Sequence, residues 1–318
     1  MTPDAARQLA ESWIIHLEAE RKSAHTIRGY TDGLALYVAW CEENGRDVLL
    51  ERGPVEEFVA WQLKAGRVLD RAQPGGLPAD GDRPGLEAAT VIARLRGIRR
   101  FSAWHAEETG KPDQLVGMKP PRLDEGVPDA ITPGQLTALL ATCKTRSFYD
   151  LRDRAIISIM ADSMVRSEEL LNMTVKGTDA RGRTALIAKG KGGKGRVTAF
   201  GAQAARDLDR YLRARAGHRL AAEQWLWLPI KRTAEPRLTY GGLYSSLRRR
   251  ALRADPPFRL TPHMMRRGGA ITFRRKGGSV TSLMALGGWS DVSMVIRYIR
   301  QAENEIAVEE ARRLFDGD

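Results

Sequence analysis

The chain has 318 residues, 42% of them hydrophobic, and a formal net charge of +12 at pH 7. That is enough apolar side chain for a buried core and, at about 150 residues per domain, room for two domains. A pI of about 10.0 points toward nucleic acid, because Lys and Arg neutralise phosphates and release counterions. Cys41 and Cys143 stand alone, which excludes a disulfide framework and a Cys-based metal site. No stretch is apolar enough for a signal core or a bilayer span, so a soluble, cytoplasmic protein is expected. From the N-terminus, LAESWIIHLEAE, YTDGLALYVAWCEE and VIARLRGIRRFSAWHAEE carry apolar residues at helical spacing and predict helices within 5–106. Between the second and third lies QPGGLPADGDRPG, from Gln73, whose Gly and Pro predict a long surface loop. The segment ETGKPDQLVGMKPPRLDEGVPDAITPG resists helix and sheet interiors. An interdomain linker is placed there, at 118–126, between a helical domain over 1–117 and a second domain over 127–318. The second domain opens with a helix start at Thr132 and the buried helix RDRAIISIMADSM. Two β-favouring runs, 184–188 and 196–200, flank a Gly/Lys turn and predict a hairpin. The rest reads as helix, ending in IAVEEARRLF. The expected fold is mainly α with a small antiparallel β-hairpin or sheet (α+β).

Five islands in the second domain carry the chemistry: MVRSEELLNM, KGKGGKGR, HMMRR, GGWS and RYIR. Taken singly, each has an ordinary structural reading. Arg166 fits a surface helix arginine paired with Glu168 or Glu169. KGKGGKGR fits a solvated turn, and it is not a Walker loop because no Ser or Thr follows the GK. His263, Trp289 and Tyr298 each fit plain packing roles. Together they supply what metal-free phosphodiester cleavage needs. Two arginines hold phosphate oxygens bidentately and stay charged. His263 and Arg266, three apart, share a helix face. Lys191 at a hairpin tip can reach DNA and protonate a leaving oxygen. Trp289 offers an indole N–H donor. A free tyrosine has a pKa near 10 and is a poor nucleophile without such neighbours; Tyr298 is the candidate.

In that order and spacing, the second domain resembles the catalytic domain of the tyrosine recombinase (phage integrase) family. RDRAIISIMADSMVRSEELLNM resembles the segment of the first catalytic arginine and its acidic partner, which assigns Arg166 and Glu169. KGKGGKGRV resembles the hairpin of the catalytic lysine, Lys191. LTPHMMRRGGA resembles the His-x-x-Arg box, His263 and Arg266. ALGGWSDVSMVIRYIR resembles the final box, with Trp289 at the His/Trp position and the nucleophile at Tyr298. Upstream, SAHTIRGYTDGLALYVAWCEENG and TVIARLRGIRRFSAWHAEETG resemble two helices of the family's core-binding domain. Three positions depart from the pattern: Met164 stands where glycine is usual, Arg267 where a second histidine is common, and Trp289 where histidine is commoner.

The resemblance implies a 3′-phosphotyrosine intermediate, with Arg166 and Arg266 on the non-bridging oxygens. It makes Lys191 the general acid, His263 an acid/base for the tyrosine, Trp289 a phosphate donor and Glu169 the residue orienting Arg166. No metal or other cofactor is implied. The partner is double-stranded DNA at attachment core sites. The candidate DNA contacts are Thr26, Arg28, Tyr30, Arg94, Arg96, Arg99 and Arg100 in the first domain, and Lys189, Lys194 and Arg196 on the hairpin. Residues 306–315, with Ile306, Ala307, Leu314 and Phe315 among charges, imply a helix exchanged between protomers of a DNA-bound homotetramer. An accessory directionality factor is a further partner of such enzymes. The core-binding pattern starts almost at Met1, so a short integrase of a phage or mobile element, without an arm-binding domain, is expected. A Xer-type chromosome-dimer resolvase is the alternative, followed by a type IB topoisomerase and a non-catalytic DNA-binding regulator.

Overall fold

The computed structural model describes residues 1–65, 86–122, 129–188, 195–231 and 234–316. The loop expected from Gln73, much of the expected linker, and the Gly/Lys turn with Lys189, Lys191 and Lys194 lie outside the described residues. Two compact units divide the chain, Met1–Gly126 and Val127–Asp318.

The first unit is helical: α1 (Pro3–Ala19), α2 (Ala24–Glu43), α3 (Arg52–Ala65) and α4 (Ala88–Thr109). Thr2 and Ser23 start α1 and α2 by accepting the amides of Ala5 and Thr26, which satisfies donors that a helix start leaves orphaned. Gly110, at φ 65°, ends α4. The core is aromatic, built on Trp13, Tyr37, Phe58 and Phe101. α2 and α4 cross closely because glycines sit at the contact. A Cβ on Gly97 would lie 2.3 Å from the Tyr30 carbonyl oxygen, and one on Gly33 would lie 2.5 Å from that of Arg94. α3 is an element the sequence reading did not single out. It buries Val55, Phe58 and Val59.

The second unit contains α5 (Pro133–Ala141), α6 (Phe148–Ser163), α7 (Ser167–Leu171), β1 (Thr178–Asp179), β2 (Thr184–Ile187), β3 (Arg196–Ala199), α8 (Ala202–Ala216), α9 (Tyr240–Arg253), α10 (Pro262–Arg275), α11 (Val280–Gly287) and α12 (Val292–Asp316). The class is the expected one, mainly α with a small antiparallel sheet. α5 starts at Thr132 through a reciprocal capping box with Gln135. β2 and β3 form the expected hairpin, Thr184 opposite Ala199 and Ile187 opposite Arg196, and the short β1 adds a third strand beside β2.

α6 is the central helix, with Ile156, Ile157, Ile159 and Met160 all buried, and it packs on α8 and α10. A buried ion network ties it to α9: Arg250 reaches Asp150 at 2.6 Å and Asp153 at 3.0 Å, and Arg152 reaches Asp153 at 2.8 Å. A second, smaller core of Met164, Ala270, Leu283, Trp289, Val295 and Ile299 joins the end of α6 to α10, α11 and α12. The candidate site is built on that platform.

Candidate active site

α6 ends at Met164, which adopts the left-handed conformation, φ 54°. A side chain there costs about 1–2 kcal/mol, which accounts for the glycine that the resemblance leads one to expect. Here the Met164 side chain is fully buried in the smaller core, and that packing offsets the strain. The reversal turns the chain so that Arg166 becomes the N-cap of α7 and Glu169 its third residue. Glu169 accepts the Arg166 backbone amide at 2.8 Å and its guanidinium at 3.0 Å. Arg196, on β3, grips the same carboxylate with both terminal nitrogens, at 2.9 and 2.8 Å. Burial alone would raise the Glu169 carboxyl. The hydrogen bonds from Arg196 and Arg166 and the Arg196 charge outweigh it and bring the carboxyl down to about 2, so Glu169 is ionised at neutral pH.

Three successive carbonyls at the C-terminal end of α11 each accept from a different arginine. Leu286 takes Arg196 at 2.8 Å, Gly287 takes Arg266 at 2.8 Å and Gly288 takes Arg166 at 2.9 Å. Helix C-termini leave their last carbonyls unpaired and carry partial negative charge, so this turn is a ready cradle for guanidinium groups. Gly288 is required there, because its φ is 68° and a Cβ would lie 2.8 Å from Arg196.

Arg266 is 3% exposed, also donates to the Met164 carbonyl, and lies 3.9 Å over the Trp289 ring. Burial, then the Arg166 charge, lower it to about 9, which keeps it a cation at neutral pH. Arg166 and Arg196 thus share one carboxylate, and Arg266, bonded to carbonyls, leaves the cluster with an excess of positive charge. The Trp289 indole N–H makes no hydrogen bond among the described residues.

Tyr298 sits near the start of α12. Its hydroxyl lies 2.5 Å from His263 Nε2, and its ring meets those of His263 and Trp289 edge-on. The pocket walls desolvate the His263 ring, and the charges of Arg266, Arg267 and Arg166 add to this. His263 therefore falls below the ordinary imidazole value and is neutral at pH 7, able to accept a proton. Arg166, His263, Arg266, Trp289 and Tyr298 line one cavity of about 310 Å³. Ser167, Tyr240 and Met294 also line it, and the sequence reading had not named them. Among the described residues, no group of His, Cys, Asp or Glu is arranged to hold a metal.

Arg267, a departure from the family pattern, is 2% exposed. It donates to the carbonyls of Tyr298 at 3.1 Å and Arg297 at 3.4 Å, and so holds the backbone that carries the tyrosine. Arg196, expected to contact DNA, is instead engaged with Glu169 and Leu286. A partner 27 positions upstream leaves no local sequence signal.

In the first unit, Tyr30, Arg96, Arg99 and Arg100 line a groove of about 520 Å³, and Arg28 is exposed on α2. Thr26 bonds Ser23 at the start of α2, 2.9 Å between hydroxyls. Arg94 lies apart from that groove's lining. It donates to Gln62 at 2.9 Å, and burial lowers its pKa.

Residues 129–305 match the profile described as the phage integrase family. The tyrosine recombinase XerD of Corynebacterium glutamicum is 26% identical over 294 residues, covering 91% of each chain. The tyrosine recombinase XerC of Myxococcus xanthus is 27% identical over 318 residues, covering 97% of this chain and 96% of the relative. Among solved structures, the XerH site-specific recombinase bound to a palindromic difH substrate superposes with a TM-score of 0.69 at 16% identity, covering 98% of this chain and 85% of that one. The Tn1549 transposon integrase in complex with transposon right end DNA gives 0.69 at 15% identity, covering 97% and 100%. The matched span exceeds half of the chain and contains every residue of the pocket, so the protein belongs to the phage integrase family of tyrosine recombinases, site-specific enzymes that cleave and rejoin DNA.

Proposed function

We propose that Tyr298 attacks a scissile phosphate of duplex DNA while His263 takes the phenolic proton. The new bond joins the tyrosine oxygen to phosphorus, and the bond to the 5′-oxygen breaks. The products are a 3′-phosphotyrosine and a 5′-hydroxyl, which receives its proton from Lys191. Arg166 and Arg266 bind the non-bridging oxygens, and Trp289 donates its indole N–H to one of them. Glu169 orients Arg166. The bond energy stays in the phosphotyrosine, so rejoining needs only attack by a 5′-hydroxyl. The observation that carries this reading is the 2.5 Å approach of Tyr298 to His263 beside an arginine pair with an excess of positive charge. Burying such charge without an anion costs several kcal/mol, and a phosphate supplies the missing anion.

In this reading, residues 1–117 clamp the duplex, residues 118–126 link them to the catalytic residues 127–318, and the enzyme works in the cytoplasm of a bacterial host. The end of α12 supports a homotetramer on DNA: Leu314 is 81% and Phe315 86% exposed, apolar surface that suits a neighbouring protomer. Deleting residues after Glu303 should spare DNA binding but impair synapsis; full recombination by the truncated chain would contradict this. Integration and excision of a phage or mobile element, with a directionality factor, is the leading biological role. Chromosome-dimer resolution is the second reading, favoured by near full-length similarity to XerC and XerD proteins.

The test uses a supercoiled plasmid carrying DNA that flanks the gene, incubated with protein and quenched with SDS. Wild type attaches covalently and Tyr298→Phe does not. Attachment by both moves the nucleophile elsewhere.

A further inference from the structure

Glu169 sets a problem of charge. A carboxylate that aims an arginine also cancels it, because two opposite charges in contact present little net field to a third group nearby. Arg166 lies 3.0 Å from Glu169 and lines the cavity that holds Tyr298. Taken as a closed pair they sum to zero, and Arg266 alone would meet a phosphate as a cation. Arg196 changes that sum. Its side chain is 13% exposed, and it is not among the residues lining the cavity. It stands behind Glu169 rather than against the phosphate.

The geometry shows which arginine holds the carboxylate more fully. Arg196 meets Glu169 fork to fork, Nη1 on Oε1 at 2.9 Å and Nη2 on Oε2 at 2.8 Å, while its Nε donates to the Leu286 carbonyl at 2.8 Å. Such bidentate pairs are the strong ones. The Arg166 side chain gives Glu169 one terminal nitrogen and spends the other on the Gly288 carbonyl. The fold fixes this arrangement. Arg196 pairs with Ile187 across the hairpin, and a Cβ on Gly288 would lie 2.8 Å from the guanidinium carbon. The charge of Arg196 is also felt beyond Glu169. Burial lowers Arg266 first, the Arg166 charge adds to this, and Arg196 contributes in the same direction.

We propose that Arg196 is a positioning residue for strand cleavage: it takes up the charge of Glu169, so that the carboxylate aims Arg166 without neutralising it. Arg166 and Arg266 then both meet the scissile phosphate as net cations. The proposal rests on the recombinase reading. Arg196 itself touches neither the phosphate nor Tyr298. It acts through the preorganised field at the phosphate, so its effect scales with the negative charge that the phosphate carries.

The test is single-turnover covalent attachment to a nicked duplex of gene-flanking sequence, made with either an ordinary phosphate or a methylphosphonate at the scissile position. The methylphosphonate has a methyl group in place of one non-bridging oxygen and carries no charge. Arg196→Met should slow attachment to the phosphate about ten- to a hundredfold, and attachment to the methylphosphonate by only about threefold or less. Arg196→Gln keeps a hydrogen-bond donor but no charge, and should behave like Arg196→Met. Arg196→Lys keeps the charge and loses the fork, and should recover most of the phosphate rate. Duplex affinity and its salt slope should stay close to wild type in all three variants. Equal losses on the two substrates make Arg196 a structural residue and overturn the proposal. So does a glutamine variant as fast as the lysine variant on the phosphate, a comparison that stands even where Arg196→Met does not fold. Weaker affinity with a shallower salt slope and an unchanged rate would put Arg196 on the DNA and also overturn it. A wild-type protein that forms no adduct on the phosphate duplex overturns the recombinase reading itself, a result distinct from failure of the Arg196 role.

Discussion

The two units use their arginines in opposite ways. On α4, Arg96 and Arg100 are exposed and Arg99 half-exposed, and none makes a hydrogen bond or ion pair among the described residues. In the second unit, Arg166, Arg196 and Arg266 are each fixed by named oxygens. Free cations give a screened attraction that any duplex satisfies. Fixed cations cost no reorganisation when charge develops on a phosphate. The first set should govern affinity and salt dependence, and the second should govern rate.

The largest effect is expected at Arg266. Arg266→Lys keeps a charge but loses the fork that spans the Met164 and Gly287 carbonyls. Covalent attachment in single turnover should fall by about a hundredfold or more, with duplex affinity nearly unchanged. An equal loss of affinity and none of rate would reverse the comparison.

Next come the residues that hold the arginines. Glu169→Gln should slow attachment by about ten- to a hundredfold, because both Arg166 and Arg196 lose a charged partner. The same variant reports on stability. The Glu169 carboxyl is about 2 in the fold against an ordinary value near 4.3. Its contribution is therefore complete above the ordinary value and disappears as pH falls toward 2. Acid unfolding measured by circular dichroism should be less steep in that window for Glu169→Gln than for wild type. An identical acid limb would contradict the ion-pair geometry.

Arg267→Met should act more gently, about tenfold on rate, through a looser Tyr298 backbone. Its charge also helps hold His263 low. Removing it should move the acid limb of the pH–rate profile upward, since His263 works neutral and is lost as pH falls through its pKa. A rate loss without that shift would leave Arg267 a packing residue only.

Arg99→Ala with Arg100→Ala should weaken duplex binding a few-fold and flatten the salt slope by roughly 1–2, while the rate at saturating DNA stays at wild type. Arg94→Ala, which faces Gln62 rather than the groove, should leave the slope unchanged. A lower slope for Arg94→Ala would place it on the DNA.

What the sequence made legible follows from this division. The five islands stand out because phosphoryl transfer demands uncommon residue types in order, and Arg166, His263, Arg266, Trp289 and Tyr298 do meet in one cavity. The hairpin was legible from β-branched residues around a glycine turn, and the helix start at Thr132 from its capping chemistry. The helical period could also have separated Arg94 from the face of Arg96, Arg99 and Arg100, since two residues advance a helix by more than half a turn. Arg196 and Arg267 were not legible, because their partners are a carboxylate and three carbonyls that only the tertiary fold brings near. α3 was missed because Gly53 and Pro54 break the pattern at its start. Two-residue β1 is too short to have one.

The proposed chemistry turns on Tyr298 as the residue that forms the bond to DNA. The most direct measurement traps the covalent complex on a nicked duplex, digests protein and DNA, and locates the nucleotide-bearing residue by mass spectrometry. A single adduct is expected, on Tyr298 and absent from Tyr298→Phe. An adduct on any other residue, or one that persists in Tyr298→Phe, would contradict it.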